Sequence, residues 1–363
     1  MYARPKIVVV GTTDVDSRLE LIGALPDDFD ISVLGSSPSL QSAFSRAGVE
    51  YRTYALSRRA NPFLDFLSLL QLWIIFRRLR PSVVHAYDTK PTVLARIAAR
   101  LAGVPVVIGT LPGLGSLYTQ DNLINRVLKM VYQVLQRTAC RLSDLTIFQN
   151  EDDARQMVAE GIVLRDRTTI IAGSGVSTDR FSQRQVPEGT RSALRNELGI
   201  GDREIIISMV SRVIRSKGVL EFMAAARSIR EGRGDVRFLL IGPEDPDSLD
   251  RLTAPEVQQL KQAVSWPGAR QDIPAVLAIS DVFVLPSVYR EGIPRVLLEA
   301  LSMGLPVITT DSPGCREAVE VGQNGFLIPP GDAAELARLI SRLVEDSELR
   351  ESFGCFSRRL AVD

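Results

Sequence analysis

Ile205-Ile206-Ile207-Ser208-Met209-Val210 runs directly into Ser211-Arg212-Val213-Ile214-Arg215-Ser216-Lys217-Gly218. The first segment reads as a strand buried on both faces, because apolar residues follow one another without alternation. The second is a polar loop that feeds a helical pattern over about 216–231, with Ser216 a suitable N-cap. Strand, loop and helix in that order are the first half of a right-handed crossover, which requires a parallel sheet.

Outward from this unit the alternation repeats. Arg237–Ile241, Val282–Leu285, Pro306–Thr309 and Phe326–Ile328 read as further strands, separated by helical patterns near 255–263, 272–279, 293–303 and 332–345. Upstream, Ile7–Val10, Ile31–Leu34, Val83–His85, Val104–Ile108 and Leu145–Phe148 form a second series, with helices at about 62–80, 90–102, 122–142 and 151–160. The Gly/Ser/Thr-rich stretch Gly173–Thr178 separates the two series. The reading is α/β: two doubly wound, Rossmann-like domains facing across a cleft, at residues 1–172 and 173–363. A chain of 363 residues is long enough for two such cores.

Composition excludes several classes. The net charge is zero, so nothing global points to nucleic acid. Three scattered cysteines, Cys140, Cys315 and Cys355, make no disulfide framework and have no metal-ligand spacing. Met1–Lys6 leads straight into a strand without a secretory signal pattern, and the apolar window Phe63–Phe76 is too short to span a bilayer. Charge is unevenly placed, however. Residues 52–141 carry 13 basic side chains against Asp65, Asp88 and Asp121. That bias suits an anionic lipid surface or an anionic substrate, and equally a solvated Arg-rich face. The pattern 62–80, apolar through Phe63, Phe66, Leu67, Leu70, Trp73 and Ile74 and then basic at Arg77, Arg78 and Arg80, suits an interfacial helix or a core helix whose basic end matches its dipole.

Ligands of doubly wound sheets bind beyond the carboxyl ends of the strands. Arg212 and Lys217 stand just there, as fixed cations where a departing phosphate develops charge; the same residue types also suit an exposed helix start. Glu291-Gly292-Ile293-Pro294-Arg295-Val296-Leu297-Leu298-Glu299-Ala300 opens a helix, with Pro294 suited to its first turn. Amides of residues 292–296, including those of Gly292 and Ile293, then point at whatever occupies the preceding loop, and a diphosphate is favoured there. Glu291 and Glu299 beside a phosphate make sense as acceptors for sugar or ribose hydroxyls. Trp266-Pro267-Gly268-Ala269-Arg270 is a candidate nucleobase flank, or a core Trp followed by a turn. In the first domain, Lys90, His85 at a strand end and the glycine-rich loop Gly109–Ser116, with Gly113 and Gly115, are candidate acceptor contacts.

Together these residues resemble glycosyltransferase family 4, of the two-Rossmann GT-B architecture. Ser211–Gly218 is similar to its S-R-x-x-x-x-K-G, and Glu291–Ala300 to its E-G-x-P-x-x-x-x-E-A. Ile147–Asp153, Gly173–Val176, Arg290–Gly292 and Pro313–Glu317 look like its bacterial surface-polysaccharide branch. The resemblance implies a retaining transferase that moves a hexose or N-acetylhexosamine from a UDP-sugar, its substrate, to a polyprenyl-diphosphate-linked glycan in capsule, exopolysaccharide or O-antigen synthesis. It implies no cofactor and no required metal. Arg212 and Lys217 would hold the donor diphosphate, Glu291 would face the sugar, and Glu299 would bind the ribose. The expected location is cytoplasmic, peripheral at the inner face of the plasma membrane, with a membrane surface and no nucleic acid among the partners. Two departures stand out: Pro112 occupies the place where the family often has a histidine, and the chain stops at Asp363 where many relatives continue. A catalytically degenerate partner subunit and a UDP-sugar 2-epimerase-type enzyme are the alternatives on this fold. A dinucleotide-dependent oxidoreductase is disfavoured, since Gly11-Thr12-Thr13-Asp14 lacks G-x-G-x-x-G.

Overall fold

Val, Ile, Leu and Phe dominate the central strands of the described residues, and most of these side chains are buried. The computed structural model describes residues 4–57, 61–118 and 123–363. Two units are present, Met1–Ser174 and Gly175–Asp363; the division falls after Ser174 rather than after Ala172. Met1, Tyr2 and Ala3 of the expected leaderless start, and Asn122 of the expected helix 122–142, lie outside the described residues.

The first unit runs β1 (Lys6–Val10), α1 (Leu19–Gly23), β2 (Asp30–Gly35), α2 (Gln41–Arg46), β3 (Glu50–Thr53), α3 (Pro62–Leu79), β4 (Val83–Tyr87), α4 (Pro91–Leu101), β5 (Val106–Leu111), α5 (Leu123–Arg141), β6 (Leu145–Phe148), α6 (Glu151–Ala159) and β7 (Thr168–Ile170). Its sheet is parallel with order β3-β2-β1-β4-β5-β6-β7. The chain winds one way from β1 to β3 and the other way from β4 onward, so the order reverses between β1 and β4. Alternate residues of the central strands point to opposite faces. Val8, Val10 and Val84 pack with Leu72 and Phe76 of α3 and with Ala95 and Ala98 of α4. Val9 and Val33 pack on the other face with Ile22 and Phe44, from α1 and α2.

The second unit runs α7 (Glu188–Glu197), β8 (Ile205–Val210), α8 (Val219–Arg230), β9 (Val236–Ile241), α9 (Ala254–Ala263), β10 (Ser265–Gly268), α10 (Ile273–Ala278), β11 (Val282–Leu285), α11 (Arg295–Ser302), β12 (Val307–Thr310), β13 (Gly325–Ile328), α12 (Ala333–Glu345) and α13 (Ser347–Val362). Its parallel sheet has order β10-β9-β8-β11-β12-β13 and reverses between β8 and β11. The closing helix α13 is tied down by Arg358, whose Nη1 donates to the carbonyls of Thr178, Phe181 and Ser302.

Two local expectations are corrected. Helix α8 starts at Val219, and its N-cap is Gly218 at φ +79°, not Ser216; residues Arg215–Lys217 form a 3-10 turn instead. The turn lets the chain bend before the helix, and only a glycine reaches that φ without strain. Pro294 precedes α11 as its cap, at ψ 121°, rather than lying inside the first turn.

Candidate active site

In the second unit the reversal of strand order brings together the loops after β8 and β11. The Ser216 carbonyl accepts from the amides of Val288 and Tyr289, at 2.9 and 3.1 Å. A Cβ on Gly218 would stand 2.1 Å from the Pro286 carbonyl oxygen, so the absence of a side chain there permits the approach. The loop after β12 joins them. Gly314, at φ +89°, leaves no room for a Cβ, which would meet the carbonyl oxygens of Gly292 and Glu291 at 2.0 and 2.3 Å.

These interlocked loops carry the residues singled out from the sequence. Lys217 Nζ donates to Glu291 Oε1 at 2.5 Å, with the two side chains 13% and 17% exposed. The Ser287 hydroxyl donates to the same Glu291 oxygen at 3.0 Å. Arg212 Nη1 donates to Asp245 Oδ2 at 2.7 Å, and Asp245 is nearly buried. Both cations are thus aimed by carboxylates, which trade side-chain freedom for position. Lys217 Nζ also lies 5.6 Å from the centre of the Tyr289 ring. Glu299 projects from the second turn of α11, and Arg295 Nε lies 3.3 Å from its Oε1. Gly292 and Ile293 lie just before Pro294, the cap of α11, and in the first turn the Leu297 amide donates to the Pro294 carbonyl at 2.9 Å.

Arg270 has a different setting. Its guanidinium forks onto Asp272, with Nε and Nη2 each 2.8 Å from an oxygen, while Nη1 donates to Glu197 of α7 at 2.6 Å. It pins α7 to the loop after β10, and its neighbour Trp266 donates Nε1–H to the Gly242 carbonyl at 2.9 Å. Asp245 and Ser287 had no signal as functional residues in the sequence, and Gly314 showed only as part of Pro313–Glu317. Asp245 is 33 residues from Arg212, and only the register of β8 beside β9 joins them.

In the first unit a polar cluster forms at the other reversal, beyond β1 and β4. His85 Nε2 is 2.8 Å from Thr110 Oγ1, and the Tyr87 hydroxyl is 3.2 Å from His85 Nδ1. The Tyr87 ring stacks on the imidazole at 4.2 Å, and the Arg18 guanidinium lies 4.6 Å over Tyr87. Arg18 Nη1 also donates to Ser174 Oγ at 2.6 Å, and Gln149 Nε2 donates to the same oxygen at 2.9 Å. Thr12 donates to Asp88, which holds φ +70°. The structure therefore sets the imidazole against Thr110, two positions before Pro112. Gly113 and Gly115 follow in the same loop, Gly115 at φ +66°. Lys90 is turned away to Asp65 of α3, at 2.6 Å. Arg18, Gln149 and Ser174 were not candidates from the sequence, because their roles depend on three separate strand ends meeting.

Burial, with a smaller contribution from Arg18, lowers the His85 pKa to about 4 from 6.5. The folded protein therefore resists a proton that the unfolded chain accepts, and the stability this represents is present above about pH 6.5 and lost as pH falls from there through about 4. Burial raises the Asp88 pKa, which acts with the opposite sign: its contribution is full below the unfolded value and lost as pH rises through the folded one. His85→Gln isolates the first effect. Between about pH 7.5 and about pH 5, wild type should lose on the order of 2 kcal/mol more stability than the variant, read by denaturant unfolding. Equal pH slopes in the two proteins would contradict the buried neutral imidazole.

Among the described residues no group of three or more His, Cys, Asp or Glu side chains is arranged to hold a metal. Residues 17–173 match the glycosyl transferase 4-like domain, and residues 190–359 match glycosyl transferases group 1. Over 297 residues the chain is 31% identical to a UDP-Gal:alpha-D-GlcNAc-diphosphoundecaprenol alpha-1,3-galactosyltransferase of Escherichia coli, covering 81% of this chain and 74% of that protein. The chain belongs to glycosyltransferase family 4. This glycosyltransferase is also 28% identical over 339 residues to an N,N'-diacetylbacillosaminyl-diphospho-undecaprenol alpha-1,3-N-acetylgalactosaminyltransferase of Campylobacter jejuni, covering 92% of this chain and 87% of that one. Its fold is that of HepE from Anabaena, solved with UDP, at a TM-score of 0.78 and 21% identity over 98% of this chain and 94% of the other. Both matched domains thus fall one to each structural unit, and the paired motifs Ser211–Gly218 and Glu291–Ala300 lie in the group 1 domain.

Proposed function

We propose that this glycosyltransferase moves a hexose or N-acetylhexosamine from a UDP-sugar to a polyprenyl-diphosphate-linked glycan during synthesis of a bacterial surface polysaccharide, with retention at the anomeric carbon and no metal. The observation that carries the reading is the convergence of Arg212, Lys217, Glu291 and the start of α11 at the reversal point of the second sheet. Two cations and the amides of Gly292 and Ile293 suit a diphosphate. Glu299 suits the ribose diol, and Glu291, held by Lys217 and Ser287, suits hydroxyls of the transferred sugar. The named relatives from Escherichia coli and Campylobacter jejuni act on diphosphoundecaprenol-linked sugars, which supports the acceptor class.

In the proposed reaction the bond from the anomeric carbon to the β-phosphate oxygen breaks, and charge develops on that oxygen beside Arg212 and Lys217. An acceptor hydroxyl attacks from the same face, and its proton passes to the departing phosphate. The polar cluster of the first unit, with Arg18, His85, Asp88 and Thr110, is the proposed acceptor contact. A neutral His85 is a hydrogen-bonding group there rather than an acid. A lipid-linked acceptor supports a location at the inner face of the plasma membrane.

The test is nucleotide release from UDP-, GDP- and ADP-sugars, with and without a polyprenyl-diphosphate-glycan extract, and with a chelator in a parallel arm. The expected result is UDP release that needs one UDP-sugar and the lipid together, that persists with the chelator, and that yields an axial linkage from an axial donor by NMR. Release that collapses with the chelator would overturn the metal-free reading, and an inverted product would overturn retention. A folded protein that binds UDP yet releases none from any donor would favour a degenerate partner subunit.

A further inference from the structure

The loop that carries Arg212 and Lys217 is ordered from outside, by the connection that leads from β9 to α9. Ser211, Val213 and Arg215 donate their amides to the carbonyls of Ile241, Pro243 and Asp250, each at 2.9 Å. The first two bonds carry the parallel ladder of β8 and β9 past the end of the sheet. The third comes from the far arm of the connection, which turns back and pairs antiparallel at Ile214 and Arg251. Two carboxylates from this side also reach side chains of the loop. Asp245 takes Arg212, and Glu256, which closes the capping box of α9 with Thr253, accepts from Arg215 Nη2 at 2.5 Å.

A third carboxylate holds backbone instead. Arg215–Lys217 is a 3-10 turn, and the first amides of such a turn have no carbonyl to bond within it. Its cap residue, Ile214, has no side chain to offer them. Asp250 supplies the cap from 34 residues along the chain: its Oδ2 accepts from the Ser216 amide at 2.7 Å. Asp250 is fixed in turn, its own amide donating to Ser248 Oγ at 3.2 Å. On the other side, the Ser216 carbonyl accepts from Val288 and Tyr289 of the loop after β11. The peptide groups of Ser216 are thus clamped between two loops. Lys217 is the next residue, so this clamp sets the direction in which its side chain leaves the backbone.

We propose that Asp250 is a positioning residue for the donor diphosphate: it touches no substrate, and by capping the Ser216 amide it holds Lys217 Nζ where the β-phosphate binds. This role rests on the donor reading given above. It has a consequence that a general structural brace would not have. A displaced Lys217 costs the β-phosphate contact, while the nucleoside and the α-phosphate keep theirs. UMP, which has no β-phosphate, is therefore indifferent to Asp250, and UDP is not.

UDP and UMP are titrated by calorimetry into full-length wild type, Asp250→Ala and Asp250→Asn. Wild type should bind UDP more tightly than UMP. Asp250→Ala should weaken UDP about tenfold, the cost of a misplaced contact, and leave UMP unchanged. Asp250→Asn keeps a carbonyl oxygen for the Ser216 amide and should bind both nucleotides as wild type does. In turnover, Asp250→Ala should lower kcat about 10- to 100-fold, and by far less when Lys217 is already Ala, because residues that act through one contact are not additive. Equal weakening of UDP and UMP would make Asp250 a structural brace and overturn the proposal. So would an Asn variant as impaired as the Ala variant, or a full further loss of kcat in the Lys217→Ala background. If the alanine variant folds poorly, amide exchange of wild type carries the test. The Ser216 amide should exchange as slowly as that of Val213, and free exchange would overturn the proposal. A wild type that binds UDP no more tightly than UMP would instead overturn the donor reading, and the positioning role with it.

Discussion

Lys217→Ala should lower kcat by about 100- to 1,000-fold, because one preorganised charge aimed at a developing anion is typically worth about 3–4 kcal/mol. The same substitution should also destabilise the second unit. Lys217 and Glu291 are both mostly buried and 2.5 Å apart, so removing the ammonium strands a carboxylate. Breaking a buried pair from one side costs about 3–5 kcal/mol, and partial exposure places this one at the lower end or beneath it. The two effects can be separated. Glu291→Gln keeps an acceptor for the Ser287 hydroxyl while removing the stranded charge. The double variant Lys217→Ala/Glu291→Gln should therefore recover most of the lost stability and none of the lost turnover, read by thermal unfolding and by UDP release. Recovery of turnover along with stability would make the pair a structural clamp and remove Lys217 from the chemistry.

Gly314→Ala should be among the most damaging single methyl groups that can be added near the site. Its Cβ would meet the carbonyl oxygens of Gly292 and Glu291 at 2.0 and 2.3 Å, and both are backbone atoms that cannot swing aside. The residue also holds φ +89°, where an L side chain is strained by about 1–2 kcal/mol before any clash. The loop after β11 must then move, and Glu291 moves with it. The expected result is a melting temperature lower by more than about 5 °C and UDP affinity weakened at least about tenfold. Gly322→Ala is the control, since Gly322 has φ +79° but nothing within 4 Å of its would-be Cβ. It should cost about 1 kcal/mol and leave UDP affinity unchanged. Equal losses in both variants would mean that backbone conformation, and not the contact with the Glu291 loop, sets the cost at Gly314.

Much of this was legible in residues whose meaning is local. An unbroken run such as Ile205–Val210 admits little but a buried strand, and the long helices followed from period and flanking glycines. The short elements were not legible. Helices α1 and α2 span only five and six residues, too few to show a period. Strand β10 contains Pro267, which argues against a strand in the interior of a sheet but is tolerated at the edge where β10 lies. Helix α13, amphipathic but near the chain end, was not read as an element at all. At the site the same division holds. Arg212, Lys217, Glu291 and Glu299 declare themselves through residue type next to a strand end or helix start. Asp245 and Ser287 meet partners that arrive from other loops, so no spacing announces them, and Gly314 showed only within Pro313–Glu317. Arg270 shows the converse: a cation in a suggestive loop that the fold spends on Asp272 and Glu197.

The central claim is that the reversal point of the second sheet holds the diphosphate of a nucleotide sugar. The most direct measurement is a crystal structure of the full chain with UDP. The account predicts the β-phosphate within hydrogen-bonding distance of Lys217 Nζ, the Arg212 guanidinium and the amides of Gly292 and Ile293, with the ribose hydroxyls on the Glu299 carboxylate. UDP bound elsewhere, with the Lys217–Glu291 and Arg212–Asp245 pairs undisturbed and no phosphate beside them, would contradict it.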